Sequence, residues 1–369
     1  MENKYPFYIK SAFVLLGLTL TVYALAAMRE ILIPLAFALM LAILLNPLVY
    51  RLEKMKVNRV LAISISLFVA IAIISGIVFF LYSQIVNFGD ELPTLKKRFV
   101  ELLGDLKKTV SREMGMPIRK QNQLLVEAEE NLKPAIGSAL GSVLGSLGLV
   151  FLLPVYCFLF LYYKKLILNF LYEIFAEKRT KEVAEVLQQT KGAVQNYMVG
   201  LLLEAVIVAA MNSAALLLIG VKYALLIGVL GAMLNILPYI GGIIAIALPV
   251  IIATITTNGF QTQLLVIGAY LVIQFIDNNF LVPMIVSSKV RINALISLIA
   301  VLLGGALWGI AGMFLSIPFV GVLKIIFDSI PEVKPWGKLL GDEVPTRHRG
   351  ERWTLLSRRK VVAEPVVKE

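Results

Sequence analysis

The chain has 369 residues, of which 59% are hydrophobic and 16% are charged, and its mean hydropathy is +0.85. An average soluble domain has about 45–50% apolar and about 25% charged residues, so the composition excludes an ordinary soluble globular protein. A net charge of +11 would suggest nucleic acid as a partner of a soluble protein, but in a membrane protein basic residues set the topology. We therefore expect an all-α polytopic membrane protein that contacts membrane lipid and has no nucleic-acid partner.

Three apolar runs predict the first three transmembrane helices, within residues 1–84. The runs cover residues 12–28, 31–50 and 60–84, and each is close to the ~20 residues that cross a bilayer core. A compact basic loop separates the second run from the third and indicates the cytoplasmic side. Its basic residues are Arg51, Lys54, Lys56 and Arg59.

A hydrophilic segment, residues 85–136, interrupts this pattern. Apolar residues recur in it at intervals of three and four, which is typical of one face of an amphipathic helix. These residues are Leu92, Leu95, Phe99, Leu102, Leu106 and Val110. A second, shorter helix is predicted around residues 124–132. We expect an extracytoplasmic amphipathic helical segment.

Residues 137–327 are predicted to form the transmembrane transport core. Ordinary spans are expected at residues 137–163, 197–219 and 264–286. Residues 166–191 are amphipathic and basic, so they are predicted to lie as a helix in the cytoplasmic interface.

Two further apolar stretches, residues 223–257 and 294–327, are each broken near the middle by glycine or proline. The first break is Pro238-Tyr239-Ile240-Gly241-Gly242 and the second surrounds Gly304 and Gly305. Each stretch is too long for one upright span and too short for two, which favours re-entrant hairpins; kinked full spans are the alternative. Backbone groups freed at such breaks must be buried in protein or line a wet cavity, and paired broken helices are a common transporter binding-site design.

The distribution of basic residues predicts both termini in the cytoplasm, with residues 328–369 as a basic cytoplasmic tail. The short outside loops then carry only Arg29 and Lys222. Under this orientation the first hairpin enters from outside and the second from inside, so we expect them to meet near the midplane.

Two carboxylates, Glu204 and Asp277, fall well within predicted spans. Ionisable groups at that depth are costly and usually face a cavity or a partner. Gln274, Asn278 and Asn279 concentrate further polarity around Asp277. We interpret the carboxylates as a site for a substrate, a proton or a cation, and the alternative is that they brace neighbouring helices.

Several other chemistries have no support in the sequence. The only histidine, His348, lies in the hydrophilic tail, and no phosphate-binding Gly-x-x-x-x-Gly-Lys-Ser/Thr motif occurs. Cys157 is the only cysteine, so no disulfide forms within the chain. We expect no enzyme activity, no metal and no cofactor, and we expect transport that is secondary or driven by a partner.

The motifs around these sites resemble the autoinducer-2 exporter (AI-2E) family of bacterial permeases. The resemblance lies in Gln274-Phe275-Ile276-Asp277-Asn278-Asn279-Phe280-Leu281-Val282-Pro283, in the run from Leu303 to Met313, and in Pro238-Tyr239-Ile240-Gly241-Gly242. It implies a multi-pass protein of the bacterial inner membrane, a homo-oligomer with a pentamer as the expectation, and export of the quorum-sensing signal autoinducer-2. Other relatives are associated with sodium or lithium export in exchange for protons.

The leading hypothesis is a secondary permease that exports a small polar organic solute through a site built from the two hairpin breaks and Asp277. The alternative is a sodium or lithium/proton antiporter that uses Asp277 and Glu204. A membrane scaffold without transport would need no polarity at the midplane and fits less well.

Overall fold

The computed structural model describes residues 6–113, 119, 122–123, 147–175, 180–237, 241–257, 260–286 and 292–342. These residues form helices and one isolated antiparallel bridge, between Ile292 and Gly341. Among them, five helices are long and apolar enough to cross a bilayer, and a bent helix pair can make a sixth. Large apolar side chains such as Phe79, Phe151 and Leu218 are exposed, as suits a surface in lipid. The predicted fold class, an all-α polytopic membrane protein, is confirmed.

The first three helices are α1 (Phe7–Ala27), α2 (Arg29–Lys54) and α3 (Arg59–Glu113). With 21 residues, α1 is about 31 Å long, which just matches the bilayer core. The apolar part of α3 covers Arg59–Gly89, but the helix continues unbroken to Glu113. The helix of the third span therefore continues past residue 84, where the span was predicted to end, and the amphipathic helix begins as an extension of α3. The second helix predicted in this segment lies outside the described residues.

The next three helices are α4 (Leu147–Tyr162), α5 (Lys164–Phe175) and α6 (Thr180–Ile219). The axes of α4 and α5 differ by 62°. At 40 residues, α6 is far longer than the predicted fifth span. Residues 166–191, predicted as one interfacial helix, are divided between α5 and the first turns of α6.

The first broken stretch forms a hairpin of two short helices, α7 (Ala224–Asn235) and α8 (Gly241–Thr256). Their lengths, about 18 and 24 Å, are less than the thickness of a bilayer core, and the two helices pack against each other. A Cβ atom on Gly241 would collide with the backbone of Leu234, so a residue without a side chain is required where the two arms meet.

The chain continues as α9 (Gln261–Ile276), which runs directly into a π-helix (Asp277–Val286). After the gap come α10 (Ala294–Ser329) and α11 (Lys334–Leu340). Pro283 lies inside the π-helix, where it cannot donate a backbone hydrogen bond. Turns of this kind are rare and often mark functional sites.

The second broken stretch is α10, which folds back on itself at Trp308 and Gly309. Gly309 has φ 62°, a left-handed conformation that glycine adopts without strain. The backbones of Gly304 and Gly312 touch, although in a straight helix residues at this spacing would be about 12 Å apart. The stretch is therefore a hairpin with arms at residues 294–307 and 310–329.

The long helix α6 is at the centre of the packing. It contacts α2, α7, α9, α10 and the π-helix. Within the described residues, however, no Cα atom of α10 lies within 8 Å of a Cα atom of α7 or α8. The expectation that the two hairpins meet is therefore wrong for this part of the chain, because each hairpin packs against α6 and neither packs against the other.

The two ends of the bundle differ in chemistry. At one end Arg59 donates to the Leu161 carbonyl at 2.8 Å, and Lys164 lies close enough to Arg59 and Lys191 to interact electrostatically. At the other end Phe88 of α3 packs edge-on against Tyr223, with ring centroids 5.0 Å apart. The first end carries the basic loop that was predicted to be cytoplasmic, and α9 begins at the opposite end.

Candidate transport site

Two buried carboxylates on different elements meet inside the bundle. Glu204 on α6 is 7% exposed, and Asp277, the first residue of the π-helix, is 2% exposed. The groups lie close enough to act on each other electrostatically. Two neighbouring carboxylates in an apolar interior are costly unless protons, hydrogen bonds or a ligand compensate them.

Asn235, the last residue of α7, supplies one of these compensating bonds. Its Nδ2 donates to Asp277 Oδ2 at 2.8 Å. The second oxygen, Asp277 Oδ1, is buried and has no hydrogen-bond partner among the described residues. Sequence reasoning missed Asn235, although it is the only amide side chain in the apolar segment from Tyr223 to Leu237.

Gly241 and Gly242, the described residues of the first break, lie close to this pair. A Cβ atom built on Gly242 would be 3.1 Å from Gln274 Oε1, so α8 and α9 meet there through a glycine and an amide. Gln274 is one turn before Asp277 on α9. The structure thus brings Glu204, Asp277, Gln274, Gly241 and Gly242 into one region; their role in transport stays a prediction.

Tyr197 is a further neighbour. It precedes Glu204 by two turns of α6, so both lie on one face of the helix. The two groups are close enough to interact electrostatically.

The remaining predicted residues are not part of this region in the described structure. Asn278 is exposed, whereas Asp277 is buried. Gly304 and Gly305 contact the second arm of α10, at Gly312 and Met313. These glycines allow the arms of α10 to pack closely, and within the described residues α10 does not contact the π-helix that carries Asp277. Pro238 and Tyr239 lie outside the described residues.

A polar cavity of about 640 Å³ adjoins the N-terminal part of α6, at the end of the bundle that carries the basic loop. It opens beside Ile325 of α10. Its polar lining residues are Glu185, Gln188, Gln189, Lys191 and Gln195. From Gln195 to Glu204 the rise along α6 is about 13 Å, so this cavity and the buried carboxylates follow one another along the same helix.

The side chains around the two carboxylates suit the binding of a ligand by hydrogen bonds better than the binding of a metal ion. The described residues contain no group of three or more histidine, cysteine, aspartate or glutamate side chains placed to hold a metal ion. Carboxylate oxygens accept hydrogen bonds, and the amides of Asn235 and Gln274 both donate and accept. Such a set can bind the hydroxyl groups of a small polar molecule.

Comparison with known families identifies the group to which the chain belongs. A family model described as AI-2E family transporter matches residues 12–332, which include the carboxylates and both hairpins. The chain belongs to the AI-2E transporter family. The predicted resemblance is therefore confirmed.

Curated members of the AI-2E family are similar over most of their length. The chain is 27% identical to the AI-2 transport protein TqsA of Escherichia coli (strain K12), over 85% of this chain and 90% of that protein. It is 27% identical to a Haemophilus influenzae protein named "Putative transport protein", over 89% and 96% of the two chains. It is 26% identical to "Putative permease PerM" of E. coli (strain K12), over 82% and 88%. Together with the apolar helices, the family identifies a multi-pass membrane transport protein.

Proposed function

We propose that this AI-2E family protein is a secondary permease that exports a small polar organic solute, and that Asp277, Glu204, Asn235 and Gln274 bind that solute. The observation that carries the proposal is the buried carboxylate pair beside the hairpin break. Broken helices next to buried polar groups are a common design of transporter binding sites. Buried polarity of this kind is too costly to persist without a partner.

The chemistry of the site favours a neutral solute with several hydroxyl groups. Asp277 Oδ1 is an acceptor with no partner among the described residues, and Glu204 adds a second acidic group. Hydroxyl groups donate to carboxylates, whereas an anionic solute would be repelled by them. Autoinducer-2 is the first solute to test, because TqsA is named as its transport protein. The relatives' names give no support to the antiporter alternative.

The polar cavity on α6 supports a direction for export. It lies at the end that carries the basic loop, which the positive-inside rule assigns to the cytoplasm. A solute entering there would reach Glu204 after about 13 Å along α6. We accordingly place the protein in the bacterial inner membrane with both termini in the cytoplasm. Reporter activity outside the cytoplasm for a fusion after residue 115 would support this orientation, and activity inside would contradict it.

The direct test is transport in cells and in vesicles. Medium from cells with and without the gene is first profiled for metabolites. Proteoliposomes that contain the purified protein are then loaded with autoinducer-2, and the efflux of autoinducer-2 is measured. The variant Asp277→Asn should reduce efflux at least tenfold, and the matched variant Asp328→Asn should not. Asp328 is a half-exposed carboxylate paired with Lys324 at 2.6 Å, away from the site. Wild-type efflux by a correctly assembled Asp277→Asn protein would refute the assignment of Asp277.

A further inference from the structure

A second set of buried polar side chains lies between the carboxylates and the end of the bundle at which α9 begins. Asn212 on α6 is 2% exposed, and Tyr270 and Gln263 on α9 are 3% and 8% exposed. Nothing in the proposed function uses these residues. They lie beside a buried apolar cluster that includes Leu216, Val266 and Tyr270 itself.

Three of their polar atoms have no hydrogen-bond partner among the described residues. These atoms are Asn212 Oδ1, Tyr270 Oη and Gln263 Oε1. The Asn212 amide nitrogen makes one long bond, to the Gly228 carbonyl at 3.4 Å. Buried polar groups are nearly always hydrogen-bonded, by protein or by ordered water. These three atoms therefore indicate a ligand that supplies hydrogen bonds.

Two of these side chains converge on Gly231 of α7. A Cβ atom built there would lie 3.3 Å from Asn212 Nδ2 and 3.6 Å from Tyr270 Oη. Glycine at residue 231 lets both polar groups approach the backbone of α7. A cation is disfavoured, because Asn212 Nδ2 and the tyrosine hydroxyl can both donate at this point.

Asn212, Tyr270 and Gln263 lie on the same two helices as the carboxylate region. The helices α6 and α9 run in opposite directions, so Asn212 lies about 12 Å along α6 from Glu204, and Tyr270 about 10 Å along α9 from Asp277. Gln263 is a further ~10 Å towards the start of α9. The three side chains thus continue from the carboxylates towards the membrane face opposite the basic loop.

We propose that Asn212, Tyr270 and Gln263 form a second polar site, on the exit side of the carboxylates, whose ligands are hydroxyl groups. The hydroxyl groups come either from water or from the transported solute. One hydroxyl donates to the open carbonyl oxygen of Asn212 and exchanges a hydrogen bond with Tyr270, and another donates to the open carbonyl oxygen of Gln263. The assignment to an exit side rests on the proposed function, but the site itself does not.

Thiol labelling tests this site without a known substrate. In a Cys157→Ala background, which removes the only native cysteine, single cysteines are placed at Asn212 or Gln263. A membrane-impermeant methanethiosulfonate is added to right-side-out and to inverted membrane vesicles. The negative control is Leu271→Cys, next to Tyr270 but 58% exposed on the outer surface of the bundle, and the positive control is Phe260→Cys, 81% exposed before α9.

We expect Asn212→Cys and Gln263→Cys to react at least tenfold faster than Leu271→Cys, and faster in right-side-out vesicles. Slower labelling when autoinducer-2 is added assigns the hydroxyl groups to the solute, and unchanged labelling assigns them to water. Reaction at both positions no faster than at Leu271→Cys, with Phe260→Cys labelled, would overturn the proposal. If neither autoinducer-2 nor any solute found by the metabolite profiling is transported but the labelling persists, the proposed function fails and this site stands.

A second variant covers the case in which the cysteine variants do not assemble. Tyr270→Phe keeps the ring and removes only the hydroxyl. In a hydrated site the variant loses hydrogen bonds and should melt at a lower temperature than Tyr50→Phe, a control at a residue that is 64% exposed. In a dry site it removes an unsatisfied polar group, so a melting temperature equal to or above that of the wild type would contradict the proposal.

Discussion

Exchanging Asn235 and Asp277 tests whether their hydrogen bond holds the transport site together. In the double variant Asn235→Asp/Asp277→Asn the amide and the carboxylate change places, so one donor and one charge remain. Asn235→Asp alone places two carboxylates where the wild type has a 2.8 Å bond, and Asp277→Asn alone removes the charge. Comparing the double variant with the two single variants therefore separates the contribution of the hydrogen bond from the contribution of either residue alone.

The expected loss of stability or transport in each single variant follows from the burial of this hydrogen bond. Asp277 is 2% exposed, so solvent does not replace the lost partner. A hydrogen bond to a charged group contributes about 1.5–3 kcal/mol, which corresponds to about 10- to 150-fold in an equilibrium constant. Each single variant should lose that much in stability or in transport rate. The double variant should recover more than half of it, because the bond re-forms in the reverse direction.

Two measurements are needed, one of them independent of the substrate. Melting temperature and gel filtration in detergent report the folded protein, and autoinducer-2 efflux from proteoliposomes reports transport. A double variant that melts no higher than the less stable single variant would refute the reasoning on the bond. A double variant with a restored melting temperature but no autoinducer-2 efflux would show that transport needs the charge on the π-helix itself.

Three further variants test the packing. Gly228→Ala should lower the melting temperature by the equivalent of about 1–3 kcal/mol, because its Cβ would lie 2.6 Å from the backbone nitrogen of Ser213; Gly268→Ala, with open space around its Cβ position, should not lower it. Gly304→Ala should destabilise the second hairpin to a similar degree, because the new Cβ meets backbone of the opposite arm; unchanged melting would contradict the close approach. Trp308→Phe removes a 3.0 Å bond to a carbonyl of α1 and should cost about 0.5–1.5 kcal/mol, read from melting in detergent.

The sequence predicted the spans and the two breaks because hydropathy and glycine or proline act locally. It also placed Asp277, Gln274 and Gly242 in one site, since all three adjoin the same break or its neighbouring span. Asn235 was missed because its role depends on a contact across 42 positions of the chain, which no local pattern encodes.

Other differences also arise from tertiary packing. The length of α3 beyond Gly89 was not foreseen, because the change from apolar to amphipathic composition does not require the helix to end. The prediction that the hairpins meet assumed that two hairpins entering the membrane from opposite sides must face each other. It took no account of α6, a 40-residue helix against which both hairpins pack.

The residues next to the two hairpin breaks have different partners, and only the first hairpin contributes to the site. At the second break the Trp308 ring nitrogen donates to the Leu25 carbonyl, and the neighbouring Phe314 stacks on Phe37 with centroids 5.4 Å apart. These contacts fix one side of the turn to α1 and α2, whereas Gly309 and Ile310 are exposed.

At the first break, by contrast, the flanking Asn235 is used to hold Asp277, and one oxygen of Asp277 keeps no partner among the described residues. Because buried polar groups need a partner from the protein or from a ligand, the open oxygen of Asp277 gives the first hairpin a position for a ligand. The site is therefore built on one side of α6, and the second hairpin supports that helix and forms a wall of the cavity at Ile325.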